Sequence, residues 1–216
     1  MNGEGSRVKL NLNLIKAELP SLREMIRSSQ IDETLLSKML LGWQNEARAH
    51  PQYCLGILRE LCTLRPKHIL ECGSGFTTIL LSVAAEELQS SLHVLEDSEL
   101  WADITRRSLR FLGLQENVVK TSPLINYGDF DWYSIPNVDD LHFDCVICDG
   151  PPGPTRGGRV GLLPVLDKSL STSCIVLLDD AGREGEGEVL EIWKRKFEMK
   201  FEILGEEHHY ARVSRL

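Results

Sequence analysis

The chain has 216 residues, of which 42% are hydrophobic and 26% charged, and its formal net charge is −8. This composition fits one globular domain with a sizeable core, and the acidic balance is unlike the basic face of a nucleic-acid-binding protein. No apolar run approaches the roughly 18–20 residues of a membrane span, and the N-terminus lacks the layout of a signal peptide. We therefore expect a cytoplasmic protein that binds neither nucleic acid nor membrane; the oligomeric state stays open.

The sequence predicts a helical segment at residues 1–65. Its first 19 residues are polar and weakly patterned, so we expect a frayed start. From Ser21 onward apolar residues recur at helical spacing, Ser21 and Asp32 are suitable N-caps, and Pro51 is a suitable first residue of a helix. We expect this segment to act as a cap or lid on a second domain, residues 66–216.

Strand and helix patterns alternate through the second domain. Strands are predicted at 68–72, 92–95, 117–121, 143–148, 173–178, 200–204 and 210–215, and helices at 76–89, 98–111, 158–170 and 185–197. Short connections between alternating elements indicate an α/β fold with a doubly wound, mostly parallel, seven-stranded sheet. The last two strands are joined by too few residues for a parallel crossover, so the last strand must be antiparallel to its partner.

The first strand of this alternation ends in Glu71-Cys72-Gly73-Ser74-Gly75, directly before a helical pattern. Glycines at these positions permit a tight turn and the close approach of a ligand to the backbone. The first amides of the helix form an electropositive cradle that suits a nucleotide-like ligand at the carboxyl edge of the sheet. A dinucleotide fingerprint requires a third glycine where this chain has Thr78.

The pattern Glu71-x-Gly73-x-Gly75 resembles motif I of class I S-adenosylmethionine (SAM)-dependent methyltransferases. Further motifs extend the resemblance over residues 66–216: Leu95-Glu96-Asp97, Trp132-Tyr133, Asp149-Gly-Pro-Pro-Gly, and Leu178-Asp179-Asp180-Ala181-x-Arg183 with Trp193. The resemblance implies a Rossmann-like fold with an antiparallel last strand, SAM as cofactor, and methyl transfer to a small-molecule acceptor, which we expect at a hydroxyl oxygen. It also implies a cofactor site made of Glu71, Gly73, Gly75, Phe76, Thr77, Thr78, Glu96 and Asp149, with Glu96 on the ribose hydroxyls.

Three carboxylates, Asp149, Asp179 and Asp180, follow two predicted strands and should meet at one edge of the sheet. Like charges so placed need a proton, a cation or basic partners. One account is a Mg²⁺ site formed by these three residues, as in catechol-type methyltransferases; the other is pairing with Arg156, Arg159 or Arg183. We expect Asp149 to act as the base or to orient the acceptor, with Asp179 or Asp180 assisting.

Several other residues have two interpretations each. His208 and His209 are either exposed loop histidines, which we favour, or a base at the active edge. Trp132 and Tyr133, with Phe130, either line an acceptor pocket or plug the sheet edge. The six cysteines lie mostly in apolar runs, and Cys145 and Cys148 should point to opposite faces of one strand, which favours buried thiols over a metal site.

Two other functions compete with methyl transfer. One is an NAD-type nucleotide-dependent oxidoreductase, which would also use a glycine turn and an acidic residue on the ribose. The other is a SAM-fold protein that has lost catalysis and serves as a binding or interaction module. Thr78 and the antiparallel last strand argue against the oxidoreductase, whereas the sequence does not separate an active enzyme from an inactive module.

Overall fold

The computed structural model of the chain describes residues 9–44, 49–135 and 142–216. Its N-terminal part consists of β1 (Lys9–Leu10), α1 (Leu12–Ser28), α2 (Glu33–Leu40), β2 (Trp43–Gln44) and α3 (Pro51–Leu64). The predicted frayed start falls in part on residues 1–8, which lie outside the described residues. Asp32 caps α2 and Pro51 begins α3, as predicted.

The first helix begins earlier than the sequence indicated. Its N-cap is Asn11, whose side chain accepts a hydrogen bond from the amide of Leu14, so the prediction of Ser21 as the N-cap was wrong. Ile15, Leu19 and Leu22 form a buried stripe along α1 at helical spacing. This stripe packs on α4 and α5, which stabilises the helix although its first turns are polar and it contains Pro20.

From residue 68 onward, strands and helices alternate. The elements are β3 (His68–Cys72), α4 (Phe76–Leu88), β4 (Ser91–Glu96), α5 (Glu99–Leu112), β5 (Val119–Thr121), β6 (Leu124–Asn126), β7 (Asp131–Tyr133), β8 (Phe143–Cys148), α6 (Leu162–Leu166), β9 (Leu170–Leu178), α7 (Glu184–Phe197), β10 (Met199–Leu204) and β11 (Tyr210–Arg215).

Seven strands form the central sheet in the order β10-β11-β9-β8-β3-β4-β5. From β9 to β5 all neighbours are parallel, whereas β11 is antiparallel to both β9 and β10. This confirms the predicted doubly wound sheet with an antiparallel last strand. The carboxyl ends of β3, β4, β8 and β9 therefore lie along one edge, which is called the carboxyl edge below.

Each face of the sheet has its own apolar core. One core packs α1 to α5 on the sheet, and the other contains side chains from α6, α7 and the β6–β7 hairpin. Cys145 belongs to the first core and Cys148 to the second, as expected for residues three apart on a strand. All six cysteines lie in the described ranges and are free thiols, five of them buried.

Two connections differ from the prediction. The segment 122–142, predicted as a long loop, contains the antiparallel hairpin of β6 and β7; residues 136–141 are outside the described part. The predicted helix 158–170 is a five-residue α6 flanked by 3₁₀ turns. Pro164 is the third residue of α6, where its missing amide costs no helical hydrogen bond, whereas in a continuous helix from residue 158 its ring would meet the carbonyl oxygen of Val160.

No helix in the described ranges is both long and apolar enough to span a membrane.

Candidate functional site

Gly73 and Gly75 shape the turn that joins β3 to α4. Their φ angles are +91° and +156°, a region that residues with a Cβ rarely adopt. A Cβ on Gly73 would lie 3.2 Å from the amide nitrogen of Gly150, so the turn packs closely against the segment that follows β8. The unpaired amides of the first turn of α4 make this a site for a polar or anionic group of a ligand.

Glu71 stabilises this turn from inside the protein. Its two carboxylate oxygens accept hydrogen bonds from the hydroxyls of Thr77 (2.5 Å) and Thr78 (2.7 Å), and the Thr78 hydroxyl accepts one from the amide of Gly75 (2.9 Å). Burial raises the pKa of Glu71 to about 8. Only 1% of Glu71, predicted as a cofactor-binding residue, is exposed, and its carboxyl group contacts the turn.

The side chains of Phe76, Thr77 and Thr78 are also buried. These residues, predicted to bind the cofactor, therefore have only their backbone amides to offer a ligand. The threonine hydroxyls are engaged by Glu71, and the Phe76 ring packs in the core.

Glu96 ends β4, the strand next to β3. One carboxylate oxygen accepts a hydrogen bond from the Ser74 hydroxyl (2.8 Å) and the other from the Ser98 amide (3.0 Å). Burial raises the pKa of Glu96 to about 7. Each oxygen keeps a lone pair, so the carboxylate can still accept hydrogen bonds from a diol. The predicted acidic group therefore lies one strand away from the glycine turn.

Two tryptophans that the sequence analysis missed lie beside the turn. Trp101, in the first turn of α5, donates its indole N–H to the backbone oxygen of Ser74 at 2.6 Å. Trp43 meets Trp101 edge to face, with ring centroids 6.1 Å apart. Both indoles lie within 4 Å of the position that a Cβ on Gly75 would take. Because Trp101 follows Glu96 closely in a capped helix, its position could have been predicted; that of Trp43 depends on tertiary packing.

Asp149 and Asp180 converge on a buried guanidinium at the ends of β8 and β9. Arg159, 2% exposed, donates from one terminal nitrogen to Asp149 Oδ1 (3.1 Å) and Asp180 Oδ2 (3.0 Å). Arg183 reaches the same Asp180 oxygen at 2.7 Å. Of the three arginines considered, Arg156 pairs instead with Asp131 in the hairpin at 2.6 Å. The ion-pair account of the carboxylates therefore holds for Arg159 and Arg183 and not for Arg156.

The pKa of Asp149 is raised to about 8, first by burial and then by the negative charge of Asp179, although the nearby Arg159 lowers it. This shift favours the protonated form of Asp149 more than in an ordinary aspartate. A protonated carboxyl group donates a hydrogen bond and is a poor proton acceptor.

His208 lies beside Asp179, at the end of β9. Its Nε2 lies 2.6 Å from Asp179 Oδ1, and this hydrogen bond raises the pKa of the imidazole. The ring stacks on His50 with centroids 4.8 Å apart. The interpretation of the pair as exposed loop histidines fits His209 and was wrong for His208, which is partly buried.

The loop that carries His208 is fixed to the N-terminus of α3. A single oxygen, Gln52 Oε1, accepts hydrogen bonds from the amides of Glu206 (3.1 Å), Glu207 (3.0 Å) and His208 (3.2 Å). The N-terminal helical segment thus holds a residue of the site in place, although it is far from it in sequence.

Trp132 and Tyr133 are fully buried, and their side chains fill the core under the edge. A Cβ on Gly150 would lie 2.1 Å from the Tyr133 hydroxyl and 2.9 Å from the amide nitrogen of Gly73. Of the two interpretations of these aromatics, the structure favours the plug. Gly150 has to be a glycine because the tyrosine and the glycine turn meet there.

Comparison with known proteins gives the fold. No family model matches the chain, and no curated protein sequence matches it significantly. Among solved structures, it is similar to the O-methyltransferase from Bacillus cereus in complex with S-adenosylhomocysteine (SAH), with 15% identity, a TM-score of 0.58, and coverage of 91% of this chain and 89% of that chain.

Two further structures show how widely this fold is used. The SAH-bound methyltransferase from Podospora anserina has 16% identity and a TM-score of 0.55 over 99% of this chain and 91% of that one. A ribosomal protein L11 methylase from Lactobacillus delbrueckii subsp. bulgaricus has 16% identity and a TM-score of 0.51 over 76% of this chain and 77% of that one. The chain has the fold of SAM-dependent methyltransferases, and the fold alone does not select an acceptor.

Proposed function

We propose that the protein transfers a methyl group from SAM to a hydroxyl oxygen of a small-molecule acceptor. The observation that carries this proposal is the pair of adjacent strand ends, with the glycine turn after β3 and Glu96 at the end of β4, in a sheet of methyltransferase strand order. A ligand lying along this edge meets the amides of the turn and then the Glu96 carboxylate. The methionine carboxylate and the ribose hydroxyls of SAM are complementary to these groups.

An NAD-type oxidoreductase accounts for fewer observations. The position where a dinucleotide fingerprint has its third glycine is Thr78, whose hydroxyl is part of the Glu71 hydrogen bonds that hold the turn. The antiparallel β11, inserted between β9 and β10, adds to the case against it. An inactive binding module would not need a fixed orientation of Asp179 and His208. These residues nevertheless form a hydrogen bond of 2.6 Å, and Gln52 holds the loop that carries His208.

The acceptor site is proposed at the ends of β8 and β9. Bound SAM supplies a methyl group on a sulfonium, and the acceptor oxygen attacks it in line with the bond that breaks. Asp149, whose pKa is raised to about 8, orients the acceptor hydroxyl by hydrogen bonding. Arg159 fixes Asp149 from the buried side, so the group points to the same place in each turnover.

His208 is the proposed proton acceptor, in place of the Asp149 base that the sequence suggested. With Nε2–H donating to Asp179, the imidazole is held as the tautomer in which Nδ1 has a free lone pair. Because Asp179 raises the pKa of His208 above 6.5, Nδ1 becomes available as the pH rises through that pKa. Methyl transfer should therefore increase with pH through a value above 6.5.

Binding is the first test. Isothermal calorimetry with SAM, SAH and NAD should give micromolar affinity for the first two and no heat with NAD. Glu96→Gln should weaken SAH binding about tenfold, because an amide accepts hydrogen bonds from a diol through one oxygen only. Binding of NAD in preference to SAH would refute the proposal.

Turnover is the second test. Transfer of a labelled methyl group from SAM should be measured with a panel of small aromatic and aliphatic alcohols. His208→Gln should lower the rate about 100-fold without changing SAH affinity. His209→Gln, one residue away and exposed, is the matched control and should leave the rate unchanged. Equal rates for the two variants would remove His208 from the mechanism, and labelling of amines with no labelling of alcohols would overturn the hydroxyl assignment.

A further inference from the structure

The Arg159 guanidinium joins the ends of two strands. Besides its two carboxylate contacts, it donates to the backbone oxygens of Asp149 and Asp179, each at 2.7 Å. A third carboxylate, Glu186 of α7, lies 3.8 Å from its Nε. The group is buried, and its pKa is raised above the ordinary value because the attraction of the aspartates outweighs the effect of burial. Arg159 thus meets four oxygens of Asp149, Asp179 and Asp180, as a bound cation would.

These contacts fill the position that a divalent cation would need. Mg²⁺ binds oxygens at about 2.0–2.1 Å in an octahedron. Between Asp149 Oδ1 and Asp180 Oδ2 lies a guanidinium nitrogen, 3.1 and 3.0 Å from them, and this nitrogen has no lone pair to donate to a metal. The triad predicted as metal ligands therefore does not fit the ion.

A second set of ligand atoms, from Asp179, Asp180 and His208, lies within 4.8 Å of one another. However, Asp179 Oδ1 and His208 Nε2 are 2.6 Å apart, a hydrogen-bond distance. Neighbouring ligands of an octahedral ion at about 2.1 Å are about 3 Å apart. Asp180 is bound by two arginines as well, so each of the three groups already has a partner.

We infer that Arg159 takes the place of a divalent cation at the ends of β8 and β9, and that the protein binds SAM and orients its acceptor without a metal ion. Arg159 is a positioning residue, since it acts through Asp149 and Asp180. The consequence for chemistry is that the acceptor hydroxyl is not activated by a metal, and its proton has to leave to a side chain. The part about SAM rests on the proposed function, whereas the exclusion of the cation does not.

The direct test is a Mn²⁺ titration of the full chain followed by the electron paramagnetic resonance of free Mn²⁺. The wild type should bind no Mn²⁺ with a dissociation constant below about 1 mM. Arg159→Met removes the charge and keeps an unbranched apolar side chain, so the uncovered carboxylates should bind Mn²⁺ at least tenfold more tightly than in the wild type. Arg156→Met, three residues earlier and paired with Asp131 in the hairpin, is the matched control and should behave like the wild type.

Stoichiometric Mn²⁺ binding by the wild type at submillimolar concentration would overturn the inference. Equal, weak binding by wild type and folded Arg159→Met would overturn the claim that the guanidinium excludes the ion. If Arg159→Met does not fold, the inference is tested by the wild-type titration together with that of Arg159→Lys. This variant keeps the positive charge and should bind Mn²⁺ no more tightly than the wild type. Mn²⁺ binding by Arg159→Lys at least tenfold tighter than by the wild type would also contradict the inference.

A second arm separates this inference from the proposed function. SAH affinity should be measured by calorimetry in EDTA and in Mg²⁺, and the two dissociation constants should agree within twofold. Binding of SAH only in Mg²⁺ would refute the metal-free site and leave the methyltransferase proposal intact. Absence of SAH binding under both conditions would refute the proposed function, while the Mn²⁺ result would still stand.

Discussion

The two halves of the carboxyl edge hold their acidic groups in different ways. At β3 and β4, Glu71 and Glu96 accept hydrogen bonds from neutral hydroxyl and amide groups. At β8 and β9, the aspartates face charged or titratable partners, Arg159, Arg183 and His208. The proposed function assigns the cofactor to the half at β3 and β4 and the acceptor to the half at β8 and β9, and they are called the cofactor half and the acceptor half below.

The largest effect is expected where the two halves meet, at Gly150. In Gly150→Ala the new methyl group would overlap the Tyr133 hydroxyl at 2.1 Å and approach the Gly73 amide at 2.9 Å. We expect a loss of about 3 kcal/mol in the free energy of unfolding and at least tenfold weaker SAH binding, measured by urea denaturation and calorimetry. Gly153→Ala, whose nearest neighbour would be an arginine nitrogen at 4.0 Å, is the control and should be tolerated.

The double variant Gly150→Ala/Tyr133→Phe sharpens this prediction. Removal of the hydroxyl relieves the shortest contact and should restore part of the lost stability, whereas the contact with Gly73 should keep SAH binding weak. Full stability of Gly150→Ala alone would mean that the two halves are not packed together as described.

Asp179→Asn should affect only the acceptor half. The substitution keeps the shape of the side chain and removes the charge that orients His208, so turnover should fall about 100-fold. The pKa of His208 should fall toward its ordinary value, because the largest cause of its increase is the hydrogen bond with Asp179. The midpoint of the pH–rate profile should therefore move to lower pH, while SAH affinity stays within twofold of wild type. A loss of SAH binding equal to the loss of turnover would contradict the separation of the two halves.

Glu71 should make the stability of the protein depend on pH, in addition to the contributions of Glu96 and Asp149, whose pKa values are also raised. Its pKa is about 8 in the folded protein and 4.5 ordinarily, so between these values the folded state keeps a proton that the unfolded state has lost. Stability therefore falls as pH rises through this window, by about 1.4 kcal/mol per pH unit for this one group. Below pH 4.5 both states are protonated and the effect is absent.

Glu71→Gln tests this by removing the titration. Urea unfolding at pH 5.5, 6.5 and 7.5 should show a shallower decline than in the wild type. Near the lower pH, where the wild-type carboxyl group is protonated, the variant should have nearly the stability of the wild type, because an amide also offers one acceptor oxygen and a donor to the two threonines. Glu188→Gln, an exposed residue of α7, is the control and should leave the slope unchanged. Parallel curves for Glu71→Gln and wild type would mean that Glu71 is ionised in the folded state.

The cofactor half was largely predictable because its information is local. Glu71, Gly73 and Gly75 lie within five residues, and the turn they form needs only the strand before it and the helix after it. β3 and β8 were predicted with their observed bounds since apolar runs ended by a turn leave little choice. The role of Glu71 was nevertheless missed, because its partners Thr77 and Thr78 lie six and seven residues later, in the first turn of α4, and look like ordinary helix residues.

The acceptor half was less predictable because its pairs form across long stretches of chain. Asp179 meets His208 29 residues later, and Asp180 meets Arg159 21 residues earlier. Three arginines were equally plausible partners from the sequence, and only the folded chain directs Arg156 to the hairpin and Arg159 to the aspartates. The start of α1 at Leu12 was missed for a similar reason, since the helix depends on packing against α4 and α5.

The smallest effect is expected from Gln52, which acts on the acceptor half from a distance. Gln52→Leu removes the oxygen that accepts three amide hydrogen bonds from the loop of His208. Two of these amides belong to exposed residues, so water replaces most of the lost bonds and the free energy of unfolding should fall by only about 1 kcal/mol. Turnover should fall about threefold to fivefold because the imidazole is less well positioned. SAH affinity should not change. Gln52→Glu keeps an oxygen acceptor and should restore the rate of the wild type; if both variants lose activity equally, the side chain contributes something other than the position of the loop.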